Sequence, residues 1–231
     1  MNGIIGGTSL LNSSTFRSWD EQKIETPYGD TYAKIKDNTV FVQRHGNPPV
    51  PPHQINHKAN IWAFNNLNVR QILSVNSVGS LKMKLKPGTF VIPDDFISLW
   101  SISTFFEKEM KFIVPGMHEG VKEYIAALCK KLRFNVHSGG IYIQTTGPRL
   151  ETKAEIRLLK RFGDIVGMTM ASEATLCMES EIPYVSLCSV DNYCNGIAKI
   201  PLTIEEINMN WQQNMQTIET LVKVVIEKGF A

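Results

Sequence analysis

The chain begins Met-Asn-Gly-Ile-Ile-Gly-Gly-Thr-Ser, an apolar run broken by Gly6-Gly7 and followed at once by Thr8 and Ser9. Glycines let backbone N–H groups approach an oxyanion where no Cβ intrudes, and a hydroxyl adds a donor, so such a turn can cradle phosphate. Unrelated families share this device, and alone it decides little. Five more polar clusters recur downstream: Arg44-His45-Gly46, Asn76-Ser77-Val78-Gly79-Ser80, the stretch Gly147–Thr152, Met168-Thr169-Met170 and Asp191-Asn192-Tyr193. Arg44 offers a planar fork of donors and a permanent charge. An isolated Arg-His pair is more often a solvated strand-end cation beside a satisfied loop histidine. Glu151 can equally be an acid that favours a helix N-terminus, and Asn192 suits a left-handed turn.

A dinucleotide site would need G-x-G-x-x-G between strand and helix. Gly3, Gly6 and Gly7 have the wrong spacing, Thr8 stands where the helix-packing glycine belongs, and polar Ser13-Ser14-Thr15 follow. Free phosphate or a phosphate ester suits Thr8 better.

The clusters need a scaffold. Short apolar runs at 3–5, 39–43, 71–76, 89–94, 140–144, 164–168 and 184–190 predict strands. Helices are expected at 54–67, 118–133, 152–162, 171–180 and 203–229. In the second, Val121, Ile125, Leu128 and Leu132 share one face. The last opens on Thr203 with Glu206 three residues later, the pattern of a capping box. Strands alternating with helices imply an α/β fold: one domain over residues 1–231, with a mixed, largely parallel sheet flanked by helices. Ligands then bind beyond the carboxyl ends of the strands, and the six polar clusters all follow predicted strands.

With 24 basic and 22 acidic residues spread along 231, the net charge is only +2 and no basic block appears, which argues against nucleic acid or an anionic membrane as partner. Cys129, Cys177, Cys188 and Cys194 form no CxxC and no metal-type spacing, and read as reduced thiols of a cytoplasmic protein. No signal peptide and no apolar run of membrane-spanning length is evident.

Taken together, "GIIGGTS", "ETPYGD", "RHG", "PPHQINHKANIWAF", "NSVGSL", "PGTFVIPDDFI", "TTGPRLETKAEI" and "GMTMASEATL" resemble the trimeric purine nucleoside phosphorylase and methylthioadenosine phosphorylase family, in family order over nearly the whole chain. "PPHQINHKANIWAF" and "GPRLET" are most similar to the S-methyl-5′-thioinosine phosphorylases. The resemblance implies phosphorolysis of a purine nucleoside, with inorganic phosphate as co-substrate, no metal or organic cofactor, and a homotrimer. By family position, phosphate is gripped by Thr8, Arg44, His45, the backbone N–H of Ser77, and Thr169. Asn192 meets purine N7 and O6. Glu151 accepts the N1 hydrogen that hypoxanthine and guanine carry and adenine lacks. Leu150 stands where many relatives place Phe against the base, and Met168 lies along the ribose. Ile204 forms an apolar wall suited to a 5′-methylthio group, and Phe112 enters from a neighbouring subunit.

The adenine-preferring branch usually carries Asp at the positions of Asn192 and Cys194, so both differences point to a 6-oxopurine. Two departures stand out. The loop after Arg44-His45 reads Asn-Pro-Pro-Val and is one residue short, leaving Asn47 as a poor phosphate ligand. Asp191 places a carboxylate where a neutral residue is expected, and pointing into the pocket it would receive the amine of adenine. Methylthioadenosine, or inosine and guanosine, are the alternative substrates. A nucleoside-binding protein without catalysis is the alternative of another class.

Overall fold

The computed structural model describes residues 1–100 and 103–230. In chain order its elements are β1 (Asn2–Gly6), β2 (Asp20–Ile24), β3 (Thr31–Lys36), β4 (Thr39–Gln43), α1 (His57–Asn66), β5 (Gln71–Ser80), β6 (Phe90–Ile92) and β7 (Asp95–Ser98). There follow α2 (Glu119–Lys131), β8 (Val136–Ser138), β9 (Ile141–Gln144), α3 (Lys153–Leu159), β10 (Ile165–Gly167), α4 (Met170–Glu179), β11 (Tyr184–Tyr193) and α5 (Ile204–Lys228). The strands form one mixed sheet in the order β2-β3-β4-β1-β5-β10-β9-β7, with β11, β6 and β8 branching from β5. Most pairings are parallel; β2–β3, β3–β4, β5–β10 and β6–β11 are antiparallel.

Period-two alternation sends neighbouring residues to opposite faces, and both faces are covered. Ile5, Val40, Val42 and Ile72 pack with Ile61 and Phe64 of α1 and Ala174 and Cys177 of α4. Ile4, Phe41, Leu73 and Val75 pack with Val121 and Ile125 of α2 and Ile218, Leu221, Val222 and Val225 of α5. Full burial of each large aliphatic contributes roughly 1.5–3 kcal/mol. Among the described residues no helix is long and apolar enough to cross a membrane.

All five expected helices are present, with ends displaced by a few residues. The first starts later than expected because Pro52–Gln54 form a separate turn of 3₁₀ helix before Asn56 caps α1. Thr203 caps α5 by accepting from the Glu206 N–H at 3.1 Å. A reciprocal capping box closes α3, between Thr152 and Glu155. Four strands, β2, β3, β7 and β8, were not expected. β2 is polar and mostly exposed, and β8 has three residues, so neither shows an apolar alternation.

Two polar clusters expected beyond strand ends lie inside strands instead: Asn76–Ser80 within β5 and Asp191–Tyr193 within β11. Their polar side chains are satisfied without leaving the sheet. Asn76 donates to Ser74 and Ser186 at 2.9 and 2.8 Å, and Ser77 donates to Asp191.

β5 is the pivot. β11 follows one flank of it from Ile72 to Ser80. On the other flank β1 pairs only with Gln71–Ser74, and β10 only with Gly79 and Ser80. Residues 75–78 therefore present an open flank in the middle of the sheet.

α1 begins with His57, almost wholly buried and with Nδ1 unpartnered. Burial pushes its pKa down to about 4 from the ordinary 6.5. The unfolded chain thus binds a proton on acidification that the folded chain refuses, and stability falls as pH drops from about 6.5 towards 4. Denaturant unfolding at pH 7 and pH 5 should show the chain losing roughly 2 kcal/mol more than its His57→Gln variant. Equal losses in the two proteins would contradict this burial effect.

Candidate active site

At the open flank of β5 lies a cavity of about 170 Å³. Thr8, Arg44, His45, Ser77, Leu150, Glu151, Met168, Thr169 and Asn192 line it, nine of the eleven residues singled out from sequence. They come from the segments after β1, β4, β9 and β10 and from within β5 and β11. Pro52, Val78, Gly79, Val166, Gly167, Cys194, Asn195, Leu202 and Ile207 complete the walls.

Arg44 is not a solvated strand-end cation. It is 3 % exposed, and its guanidinium is held on three sides. Nε donates to Glu173 Oε1 at 2.6 Å and Nη2 to Glu173 Oε2 at 3.4 Å. Nη2 also donates to Ser74 Oγ at 2.7 Å, and Nη1 to the Val75 carbonyl at 2.8 Å. Four of the five guanidinium N–H groups are thereby used, leaving one on Nη1. Val75 can accept because β1 has already left this flank of β5. Backbone groups two residues apart point to the same flank, so the Ser77 N–H faces the same opening.

The Gly6-Gly7 turn gains a reason different from the one its sequence suggests. A Cβ on Gly7 would lie 2.2 Å from Arg44 Nη1. Gly7 is bare because the guanidinium packs against it. Glu173, on α4, is 1 % exposed and also accepts from Ser74 Oγ at 2.6 Å and Tyr184 Oη at 2.9 Å. Sequence reasoning passed over this residue, although an acid among the apolar positions of "MASEATL" is itself a signal.

Around this pair the remaining polar groups are fixed. Thr169 Oγ1 donates to Asn76 Oδ1 at 2.7 Å. The N–H groups of Thr169 and Met170 go to Tyr142 Oη at 3.1 and 3.3 Å, and that of Ser172 to Gln144 Oε1 at 3.1 Å. The first turn of α4 is thus capped by β9. His45 is half-buried, its Nδ1 is 2.8 Å from the Val50 carbonyl, and the Val50 N–H returns to the His45 carbonyl at 2.8 Å. Burial, ahead of the Arg44 charge, lowers its pKa, so the ring is neutral at pH 7 and Nε2 is left as an acceptor. The short Asn-Pro-Pro-Val loop folds back on His45, and Asn47 is exposed and outside the cavity lining.

Across the cavity, Glu151 is 9 % exposed and accepts from Thr145 Oγ1 at 2.6 Å. Its second carboxylate oxygen remains for a ligand. Glu151 precedes the N-cap Thr152 of α3, and the acid in that helix's first turn is Glu155. Asn192 Nδ2 donates to the Tyr193 carbonyl at 3.0 Å, which leaves an amide oxygen and a second N–H. Gly79 makes room for this wall: a Cβ there would stand 2.6 Å from Cys194 Sγ and 3.2 Å from Asn192 Nδ2.

Two expected residues lie elsewhere. Ile204 is 59 % exposed at the first turn of α5 and does not line the cavity; Leu202 and Ile207 supply the apolar wall instead. Ile207 follows Ile204 by one turn of α5, and it is the one that reaches the cavity. Phe112 is 88 % exposed and far from lining the cavity of its own chain. Asp191 does not point into the pocket. Its carboxylate is fully buried among Ser77, Ser189 and Asn214.

A chain of Archaeoglobus fulgidus named as a probable 6-oxopurine nucleoside phosphorylase is 36 % identical over 99 % of this chain and 96 % of its own length. One of Methanocaldococcus jannaschii, named as a probable S-methyl-5′-thioinosine phosphorylase, is 40 % identical over 100 % and 93 %. The S-methyl-5′-thioadenosine phosphorylase of Saccharolobus solfataricus is 36 % identical over 98 % and 88 %. The solved methylthioadenosine phosphorylase of Schistosoma mansoni, 22 % identical, superposes with a TM-score of 0.84 over 95 % of this chain and 88 % of that one, which shows the shared fold. Residues 3–227 match the phosphorylase superfamily, and the chain belongs to that family.

Proposed function

We propose that the chain catalyses phosphorolysis of a 6-oxopurine nucleoside, with S-methyl-5′-thioinosine the preferred substrate. One observation supports the reading: a single cavity is lined both by groups suited to an anion (Thr8, Arg44, the Ser77 N–H, Thr169, and His45, whose Nε2 would accept from a protonated phosphate oxygen) and by groups suited to a base (Glu151, Asn192). A phosphate oxygen forms a bond to C1′ as the C1′–N9 bond breaks, and the base leaves with the bonding pair. Positive charge grows on the ribosyl group beside the phosphate, and negative charge on the purine. Asn192 meets that charge at N7 and O6, while the free oxygen of Glu151 accepts the N1 hydrogen. Adenine N1 is an acceptor and would face the carboxylate unpaired. Because Asp191 turns away from the cavity, it offers nothing to an adenine amine. Leu202 and Ile207 give the ribose end an apolar wall, which favours a methylthio group over a hydroxyl that would lose water partners. Phosphate is a co-substrate in this scheme, which uses no metal or organic cofactor.

The names of the relatives support both branches of this chemistry, and methylthioadenosine is the rival substrate. Asn192 and Cys194, where the adenine branch usually carries Asp, favour the 6-oxopurine. Four buried, unpaired cysteines suit a reducing cytoplasm. Met110, Phe112 and Val114 are 93, 88 and 96 % exposed, an apolar patch that suits burial against further copies of the chain. In a homotrimer Phe112 would close the cavity of a neighbour.

Base release from methylthioinosine, inosine and methylthioadenosine, each with and without phosphate, tests the reading. Phosphate-dependent hypoxanthine release, fastest from methylthioinosine, is expected, with Asn192→Asp moving preference towards adenine nucleosides. Adenine release as the best reaction would overturn the base assignment, and no release from any of the three would favour a binding protein. Sedimentation equilibrium should give three times the chain mass; a monomer at assay concentration would exclude the trimer.

A further inference from the structure

Asp191 is the fully buried carboxylate that the reaction scheme leaves without a task. It sits at the irregularity of β11, where Val190 pairs with Val78 and Asn192 with Gly79, so that Asp191 is the extra residue of a bulge. Its Oδ1 accepts from Ser189 Oγ at 2.6 Å and from Asn214 Nδ2 of α5 at 2.9 Å. Its Oδ2 accepts from Ser77 Oγ. Asn210, also on α5, donates to the Asp191 backbone carbonyl at 2.8 Å. Three structural parts meet on this residue: the strand that carries Ser77 to the open flank, the bulge that delivers Asn192 to the cavity, and the helix that carries Ile207.

We propose that Asp191 is a positioning residue for phosphate: by holding the Ser77 side chain on the α5 face of the sheet, it fixes the Ser77 N–H at the open flank facing the anion. The proposal rests on the phosphorolytic reading of the cavity. All three side-chain partners donate to it here, and an ionised carboxylate accepts on both oxygens. Burial pushes Asp191 above the usual carboxylate range, against the three donors that pull it down. A buried carboxylate with no cation beside it is costly to keep. Among the described residues it has no ion-pair partner, and every bond it makes runs to an element of the site or to the helix behind it.

Asp191→Asn keeps the shape, removes the charge and replaces one acceptor oxygen by a donor, so either the charge-assisted bond to the Ser77 hydroxyl is reversed and weakened or the Asn214 amide must turn away. Steady-state kinetics with methylthioinosine and inorganic phosphate should show KM for phosphate raised about tenfold in this variant, with KM for the nucleoside changed less than about twofold. Ser77→Ala should raise KM for phosphate in the same direction, and the double variant should be no worse than Asp191→Asn alone. Unaltered KM for phosphate in the folded single variant, or effects that simply add in the double, would overturn the proposal. A loss of melting temperature with both KM values intact would overturn it too, leaving Asp191 a structural residue. If the parent chain itself shows no phosphate-dependent turnover, the functional reading fails first.

Discussion

The buried pair of Arg44 and Glu173 is the interaction on which the rest of the site depends. A lone guanidinium so deep in the fold would be expensive to desolvate, and removing the carboxylate from such a pair costs about 3–5 kcal/mol. Here the pair is satisfied at nearly every donor and acceptor: Ser74, the Val75 carbonyl and Tyr184 close the remaining positions. Burial pushes the Tyr184 phenol well up, so it stays protonated and donates to Glu173. Such a network fixes the guanidinium in one place and leaves a single N–H over. An anion arriving at the cavity meets one oriented charge-assisted donor beside the Thr8 hydroxyl and a strand-edge N–H. That arrangement is preorganised, and little reorganisation is left to the moment of reaction.

The pair is possible only because of the way the sheet divides. If β1 followed β5 along its full length, the Val75 carbonyl would be spent on a ladder bond and the guanidinium would have no floor. β1 instead ends at Gly6, and Gly7 leaves the volume that Arg44 Nη1 occupies. β10 rejoins the flank at Gly79, just where the Cys194 and Asn192 wall begins. The gap between these two strands is where the cavity opens, with Arg44 packed beside Val75 and the Asn192 wall beside Gly79. α4 then locks the gap from behind: its first N–H groups are held by Tyr142 and Gln144, which places Glu173 one turn further along.

Much of this was legible in the sequence. Alternating apolar runs and helical periods gave the five helices and seven of the strands, and the strand-end clusters located nine lining residues. What was not legible has particular causes. β2 is a charged edge strand, packed through its backbone and not through an apolar face. Ser77 and Asp191 look like loop residues because their side chains are polar, but they bond each other inside the fold and the strands continue. Ile204 and Ile207 differ by one helical turn, and nothing in the sequence fixes which of them faces the cavity. Gly7 shows the same limit, since a glycine beside an anion and a glycine beneath a guanidinium look the same in sequence.

Calorimetric titration of inorganic phosphate into the chain and into its Arg44→Gln variant tests the central claim most directly. The account predicts saturable binding to the parent chain and affinity weakened by more than about tenfold in the variant, with Glu173 then buried without its cation. Equal phosphate affinity in the two folded proteins would contradict it, and would make the Arg44–Glu173 pair a structural brace beside an anion site held by other groups.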